Sequence, residues 1–180
     1  MSDPFAILGL EPRFDLDVAA AEVRHRELSR TLHPDRHAGS PAAERRQALS
    51  LAIEVNDALR ILKDPVRRAE ALLQRSGVRP AEEGREPPAS PEFLMDMLEL
   101  REELSAAQGA ADLVKLQSIA KRVAAREAEV ERDLSSAFSA LAKDSDSPSS
   151  QGEQIAKKLG ELRYFRRLLS EARAIEDELA

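Results

Sequence analysis

The five residues Leu32-His33-Pro34-Asp35-Arg36 (LHPDR) decide how this chain is read, because a helical pattern runs up to them and another runs away. A basic amphipathic run from Asp17 to Leu32 leads in, and a second amphipathic run from Ala42 to Leu62 leads out. Pro34 lacks a backbone donor and pushes the residue before it out of the α region, so the first helix is expected to stop near His33. Two helices joined by such a polar loop fold back as an antiparallel hairpin, with His33, Pro34 and Asp35 at its open tip. A tip builds no core, so its residue choice points to recognition.

The flanking helices support the hairpin. At about 100° per residue, Val18, Ala21, Leu28 and Leu32 share one face of the first helix, and Ala48, Ala52, Val55, Leu59 and Leu62 form the matching stripe of the second. Arg26 and Arg30 lie nearly opposite the first stripe, and their row continues towards His33. Two exposed arginines usually mean a solvated face, but here the row ends at the tripeptide. His25 falls at the edge of the apolar face, where packing is expected rather than chemistry. Upstream, Pro4 to Leu10 reads as a short apolar helix stopped by Gly9, with Phe5, Ile7 and Leu8 packing across the hairpin. Asp15 or Asp17 can cap the helix that follows. Downstream, Asp64-Pro65 opens a short helix closed by Gly77.

This arrangement, together with VNDALRILKDPVRRAEALL over residues 55–73, resembles the J domain, the module by which DnaJ-type co-chaperones drive ATP hydrolysis in DnaK-type chaperones. The resemblance implies that Arg26, Arg30, His33, Pro34, Asp35 and Arg36 bind the chaperone. Arg36 keeps the positive charge that a Lys more commonly supplies after the tripeptide.

Composition sets the wider frame. Hydrophobic residues make up 42% and charged residues 33%, while aromatics reach only 3% with no Trp, so helices must pack through Leu, Ile, Val and Ala. No alternating β-branched run is present, and the expected class is all-α. Without Cys, disulfides, thiolate metal sites and thiol catalysis are excluded. His25, His33 and His37 show no metal-ligand spacing with acidic partners, so no metal or cofactor is expected. His33 and Asp35 at a loop tip have no pocket, oxyanion donors or neighbouring nucleophile, which argues against an enzyme. Residues 1–78 are neutral and residues 79–180 carry the whole net charge of −6. Neither half is the basic domain a nucleic-acid binder would show, and the acidic half suits a partner with a basic surface. The start MSDPFAILGL has no basic segment followed by a long apolar run. No stretch approaches the roughly 20 apolar residues that span a membrane, so a bacterial cytoplasmic protein is expected.

Residues 79–91, RPAEEGREPPASP, hold four of the ten prolines and read as a linker between a domain over 1–78 and another over 92–180. Three helical patterns follow it: Glu92 to about Gln108, Asp112 to about Lys143, and about Gln151 to the end, with KDSDSPSSQG as a polar break. Short connections between amphipathic helices predict an antiparallel three-helix bundle. In FLMDMLELREEL (93–104), Phe93, Met97, Leu100 and Leu104 have bundle-seam spacing. Leu94, Met95 and Leu98 then fall on another arc beside Glu99 and Glu102. A bundle helix needs one buried stripe, so this second face is either a docking surface or is hidden against the first domain. On the third helix Tyr164 lies roughly opposite Leu162 and is expected to face solvent unless something covers it.

An N-terminal J-type hairpin, a Pro-rich linker and a helical domain opening FLM…LELREEL together resemble the HscB family, co-chaperones of iron–sulfur cluster assembly, along nearly the whole chain. The resemblance implies that the bundle binds an IscU-type scaffold protein while the hairpin recruits the specialised DnaK-type chaperone HscA. It also implies that Leu94, Met95, Leu98, Glu99, Glu102 and Tyr164 meet the scaffold. Ala106 stands where family members can continue the acidic face, and Phe165 beside Tyr164 leaves open which aromatic is exposed. The Cys-rich extension of eukaryotic relatives has no counterpart here, so its metal site is not expected.

Overall fold

The computed structural model of the chain describes residues 3–78, 88–142 and 148–179. Most of the expected linker (79–87) and half of the polar break (143–147) therefore lie outside the described residues. The rest is helical, with no strand among the described residues, and separates into two compact units, Met1–Arg79 and Pro80–Ala180.

The first unit holds α1 (Pro4–Leu8), α2 (Val18–Thr31), α3 (Ala42–Lys63) and α4 (Pro65–Arg75). Each start has a local cause. The Asp3 carboxylate accepts from the Phe5 amide, Asp17 from those of Ala19 and Ala20, and Asp64 from those of Val66 and Arg67. These bonds satisfy donors that have no partner inside a helix. Of the two candidate caps for α2, Asp17 takes the role, while Asp15 pairs with Arg13, whose hydrogen bond lowers the Asp15 pKa. Gly9 stops α1 in the left-handed conformation at φ 65°.

Two ties set α2 and α3 antiparallel: Lys63 Nζ donates to Glu22 Oε1 at 2.6 Å, and His25 Nε2 lies 2.7 Å from Asn56 Oδ1. Position rises along one helix as it falls along the other, as a hairpin requires. Phe5, Leu8, Phe14, Ala21, Ala48, Val55, Ala58, Leu62, Ala69 and Leu73 fill the core. Arg68 is buried among them, which periodicity alone does not foretell. Its Nη1 donates to the Leu62 carbonyl at 2.7 Å and its guanidinium lies 5.0 Å from the centre of the Phe14 ring. The arginine thus satisfies a carbonyl at the end of α3 and covers an aromatic face at once.

The second unit is a bundle of α5 (Pro91–Gly109), α6 (Leu113–Leu141) and α7 (Pro148–Leu179). Ser90 caps α5 through the Phe93 amide and Asp112 caps α6 through the Lys115 amide. Helix α5 begins at Pro91, and α7 begins at Pro148 inside the stretch read as a break. At Pro91 the ring fixes φ at a helical value where no intrahelical donor is needed. Ion pairs record the direction of packing. Asp96 meets Arg126 and Glu103 meets Arg122 between α5 and α6; Glu127 meets Arg166 and Asp133 meets Lys158 between α6 and α7. Each set runs antiparallel. Met97, Leu100 and Leu104 of α5 close on Leu116, Ile119, Val123, Val130 and Leu134 of α6 and Ile155, Leu159, Leu162, Phe165 and Leu169 of α7, all buried.

Candidate functional site

Two surfaces carry the residues singled out by the sequence, one in each unit. At the hairpin tip, Pro34–His37 form one 3-10 turn rather than an open loop. Its amide economy explains the turn. Pro34 offers no donor, the Arg36 amide donates to the His33 carbonyl at 3.0 Å, and the Asp35 amide donates to His33 Nδ1 at 3.3 Å. His33 is therefore the N-cap of the turn, with its ring Nδ1 accepting from the Asp35 amide. The Asp35 carboxylate sits 3.5 Å from the same Nδ1, and its side chain is 89% exposed. None of the turn residues is buried. Arg26 and Arg30 are exposed on α2, as their row predicts. Arg36 is exposed too, yet its Nη1 turns back to the Arg30 carbonyl at 3.4 Å.

On α5 the two arcs separate cleanly. Met97, Leu100 and Leu104 are buried, while Leu94, Met95 and Leu98 are 54%, 57% and 52% exposed. Glu99 and Glu102 are exposed beside them. Together they make a convex strip of three apolar side chains, with carboxylates along one edge and no partner inside the described bundle.

The opposite edge is aromatic and basic. Tyr164 is half-buried rather than facing solvent, because the Phe93 ring meets it edge-on with centroids 5.8 Å apart. The guanidinium carbons of Arg101 and Arg167 lie 5.3 and 5.8 Å from the Tyr164 ring centre. Phe165 is buried and packs on Phe93 at 5.6 Å, so Tyr164 is the more exposed aromatic of the pair. Phe93 and Arg101 were thus missed as supports of this edge. Arg101 was legible, since it lies one turn after Leu98 on the same arc. Phe93 was assigned to the seam, and its second contact depends on how α7 is placed.

The comparisons with known proteins agree with this anatomy. Residues 89–173 match the family described as the HSCB C-terminal oligomerisation domain. The co-chaperone protein HscB homolog of Mannheimia succiniciproducens is 33% identical over 181 residues, covering 100% of this chain and 99% of its own length. Its counterpart in Neisseria meningitidis serogroup B is 39% identical over 119 residues, 66% of this chain and 71% of its own. Among solved structures, the chaperone HscB from Vibrio cholerae aligns with a TM-score of 0.80 at 29% identity, covering 99% of this chain and 100% of that one. The human co-chaperone HscB aligns at 0.82 with 24% identity over 97% of this chain and 82% of its own, a likeness of fold alone. With a relative matched from end to end and a family domain over the bundle, this chain belongs to the HscB family of co-chaperones.

Proposed function

We propose that the chain is a non-enzymatic adaptor that delivers an IscU-type iron–sulfur scaffold protein to the DnaK-type chaperone HscA and raises that chaperone's ATPase rate. The observation that carries this reading is the strip Leu94, Met95 and Leu98. Three large apolar side chains stay more than half exposed while their neighbours fill the bundle core. Exposed apolar groups of this size, edged by Glu99, Glu102 and the Arg101–Tyr164 contact, suit a protein partner with an apolar centre and a charged rim. Met adds a side chain that adapts to the partner's shape.

The hairpin supplies the second contact. Arg26 and Arg30 steer the approach to an acidic chaperone surface, and the exposed His33-Pro34-Asp35 turn engages it. By binding one conformation of the chaperone better than the other, the turn shifts the population towards the state competent for hydrolysis. The surfaces involved belong to separate units, so one chain can hold scaffold and chaperone together. With a net charge of −6 nucleic acid is not a proposed partner, and no helix among the described residues is long and apolar enough to cross a membrane. The cytoplasm, where scaffold and chaperone meet, is the proposed location.

The test is a steady-state ATPase assay of HscA with this chain, with and without an IscU-type scaffold. Stimulation by the chain, rising further with scaffold, is expected. Stimulation that is indifferent to the scaffold, with another client captured by the Leu94–Leu98 strip, would identify a co-chaperone of different cargo.

A further inference from the structure

Pro34 leaves an accounting problem at the end of α2. In a continuing helix the Arg30 carbonyl would accept from residue 34 and the Thr31 carbonyl from residue 35. Residue 34 has no amide hydrogen, and the Asp35 amide is committed to His33 Nδ1. Both carbonyls are instead met by side chains from the far side of the turn. Arg36 Nη1 lies 3.4 Å from the Arg30 oxygen, and His37 Nε2 lies 3.1 Å from the Thr31 oxygen. Each reaches back six residues. A carbonyl only accepts, so His37 donates through Nε2–H.

No residue of Pro34–His37 is fully buried, so no core side chain anchors the turn. Its shape depends on a short circuit of hydrogen bonds: His33 ring to Asp35 amide, Arg36 amide to His33 carbonyl, and the two return bonds to α2. His37 makes the shorter return bond and is half-buried, whereas Arg36 is exposed. We propose that His37 is a positioning residue, a strut that holds His33, Pro34 and Asp35 in the arrangement offered to the chaperone ATPase, with Arg36 as a weaker second strut. The functional half of this inference rests on the proposed J-domain activity. The structural half does not.

A strut acts on the fraction of molecules in the competent arrangement. Losing it weakens apparent affinity by that fraction and leaves the bound complex unchanged. One net hydrogen bond corresponds to about a five-fold change in an equilibrium.

The experiment compares full-length wild type, His37→Ala and His37→Gln, the last keeping an N–H donor. Two quantities are read: HscA ATPase against co-chaperone concentration, and amide hydrogen exchange at Asp35 and Arg36 in the chain alone. For His37→Ala the expected result is a half-saturating concentration raised by up to about five-fold, an unchanged plateau and faster exchange at both amides. His37→Gln should recover most of each effect. Wild-type exchange and half-saturation in His37→Ala would overturn the inference. Equal losses in both variants with unchanged exchange would also overturn it, since the imidazole would then be touching the chaperone itself. If wild type fails to stimulate HscA at all, the functional proposal fails, and the exchange data alone decide whether His37 orders the turn.

Discussion

Met97 and Leu98 are adjacent in sequence, yet Met97 is 3% exposed and Leu98 is 52% exposed. One peptide bond separates the bundle's seam from its free face. Met97 lies with Leu100 and Leu104 against α6 and α7, whereas Leu98 lies with Leu94 one turn back on the other arc. Side chains that differ so little in size and polarity therefore have different consequences when truncated.

Leu104→Ala should behave as a core deletion. Leu104 is 2% exposed, and such changes cost about 2–5 kcal/mol, part of it the cavity left behind. Chemical denaturation of the full-length chain, followed on the transition of the bundle, measures the loss. A change below about 0.5 kcal/mol would contradict the assignment of the seam.

Ala111→Gly should stabilise the bundle. Ala111 links α5 to α6 with φ at 49°, and the Asp112 amide reaches back to the Ala107 carbonyl at 2.9 Å, the helix-ending pattern that usually employs Gly. A left-handed residue with a Cβ costs about 1–2 kcal/mol, of which Gly relieves a large part. A melting temperature raised by a few degrees is expected, and a lower one would show that the turn is not held in this form.

Lowering the pH should weaken the bundle through Glu103. Arg122 donates to both carboxylate oxygens at 2.8 and 3.0 Å, and that hydrogen bond lowers the Glu103 pKa below the ordinary glutamate range. A carboxylate depressed in the folded state contributes its stability above its unfolded value, about 4.3, and loses it as pH falls through the lower folded value. The pair is exposed to water, so its worth is small, about 0.5 kcal/mol. Glu103→Gln should flatten the acid limb of the stability–pH curve by that amount. An unchanged limb would mean that the pair is no stronger than its solvated parts.

His33→Gln should abolish ATPase stimulation while the melting curve stays in place, because the ring is exposed and belongs to no core. Arg26→Ala and Arg30→Ala should instead weaken chaperone binding in a salt-dependent way. Charges steering at the surface are screened within about 8 Å at physiological ionic strength, so the defect should shrink as salt rises. A defect that persists at high salt would mean that the arginines act through close contact.

Much of this architecture is legible in the sequence because its causes are local. Pro34 and Gly9 end helices by restricting or permitting backbone angles, Asp64 and Asp112 start them by capping, and three-four spacing on α5 separates Met97 from Leu98. What escaped depends on where elements meet. Asp15 and Asp17 are equally good caps until Arg13 engages Asp15. Arg68 looks like surface until the Leu62 carbonyl and the Phe14 ring are found beside it. Tyr164 points away from Leu162 on a helical wheel, but a wheel does not show Phe93 approaching from α5. The return of Arg36 and His37 to α2 follows from counting amides around Pro34, a count that hydrophobic periodicity does not make.

In the proposed adaptor the Leu94–Met95–Leu98 strip holds the scaffold without holding up the bundle. Calorimetric titration of an IscU-type scaffold into wild type and into the Leu94→Ala, Met95→Ala, Leu98→Ala triple variant, with a melting curve for each, tests it most directly. Exposed truncations usually stay within about 0.5 kcal/mol, so the two melting curves should nearly coincide while the binding heat disappears from the variant. Binding that survives the triple change, or a bundle that melts as if a core leucine had been removed, would contradict it.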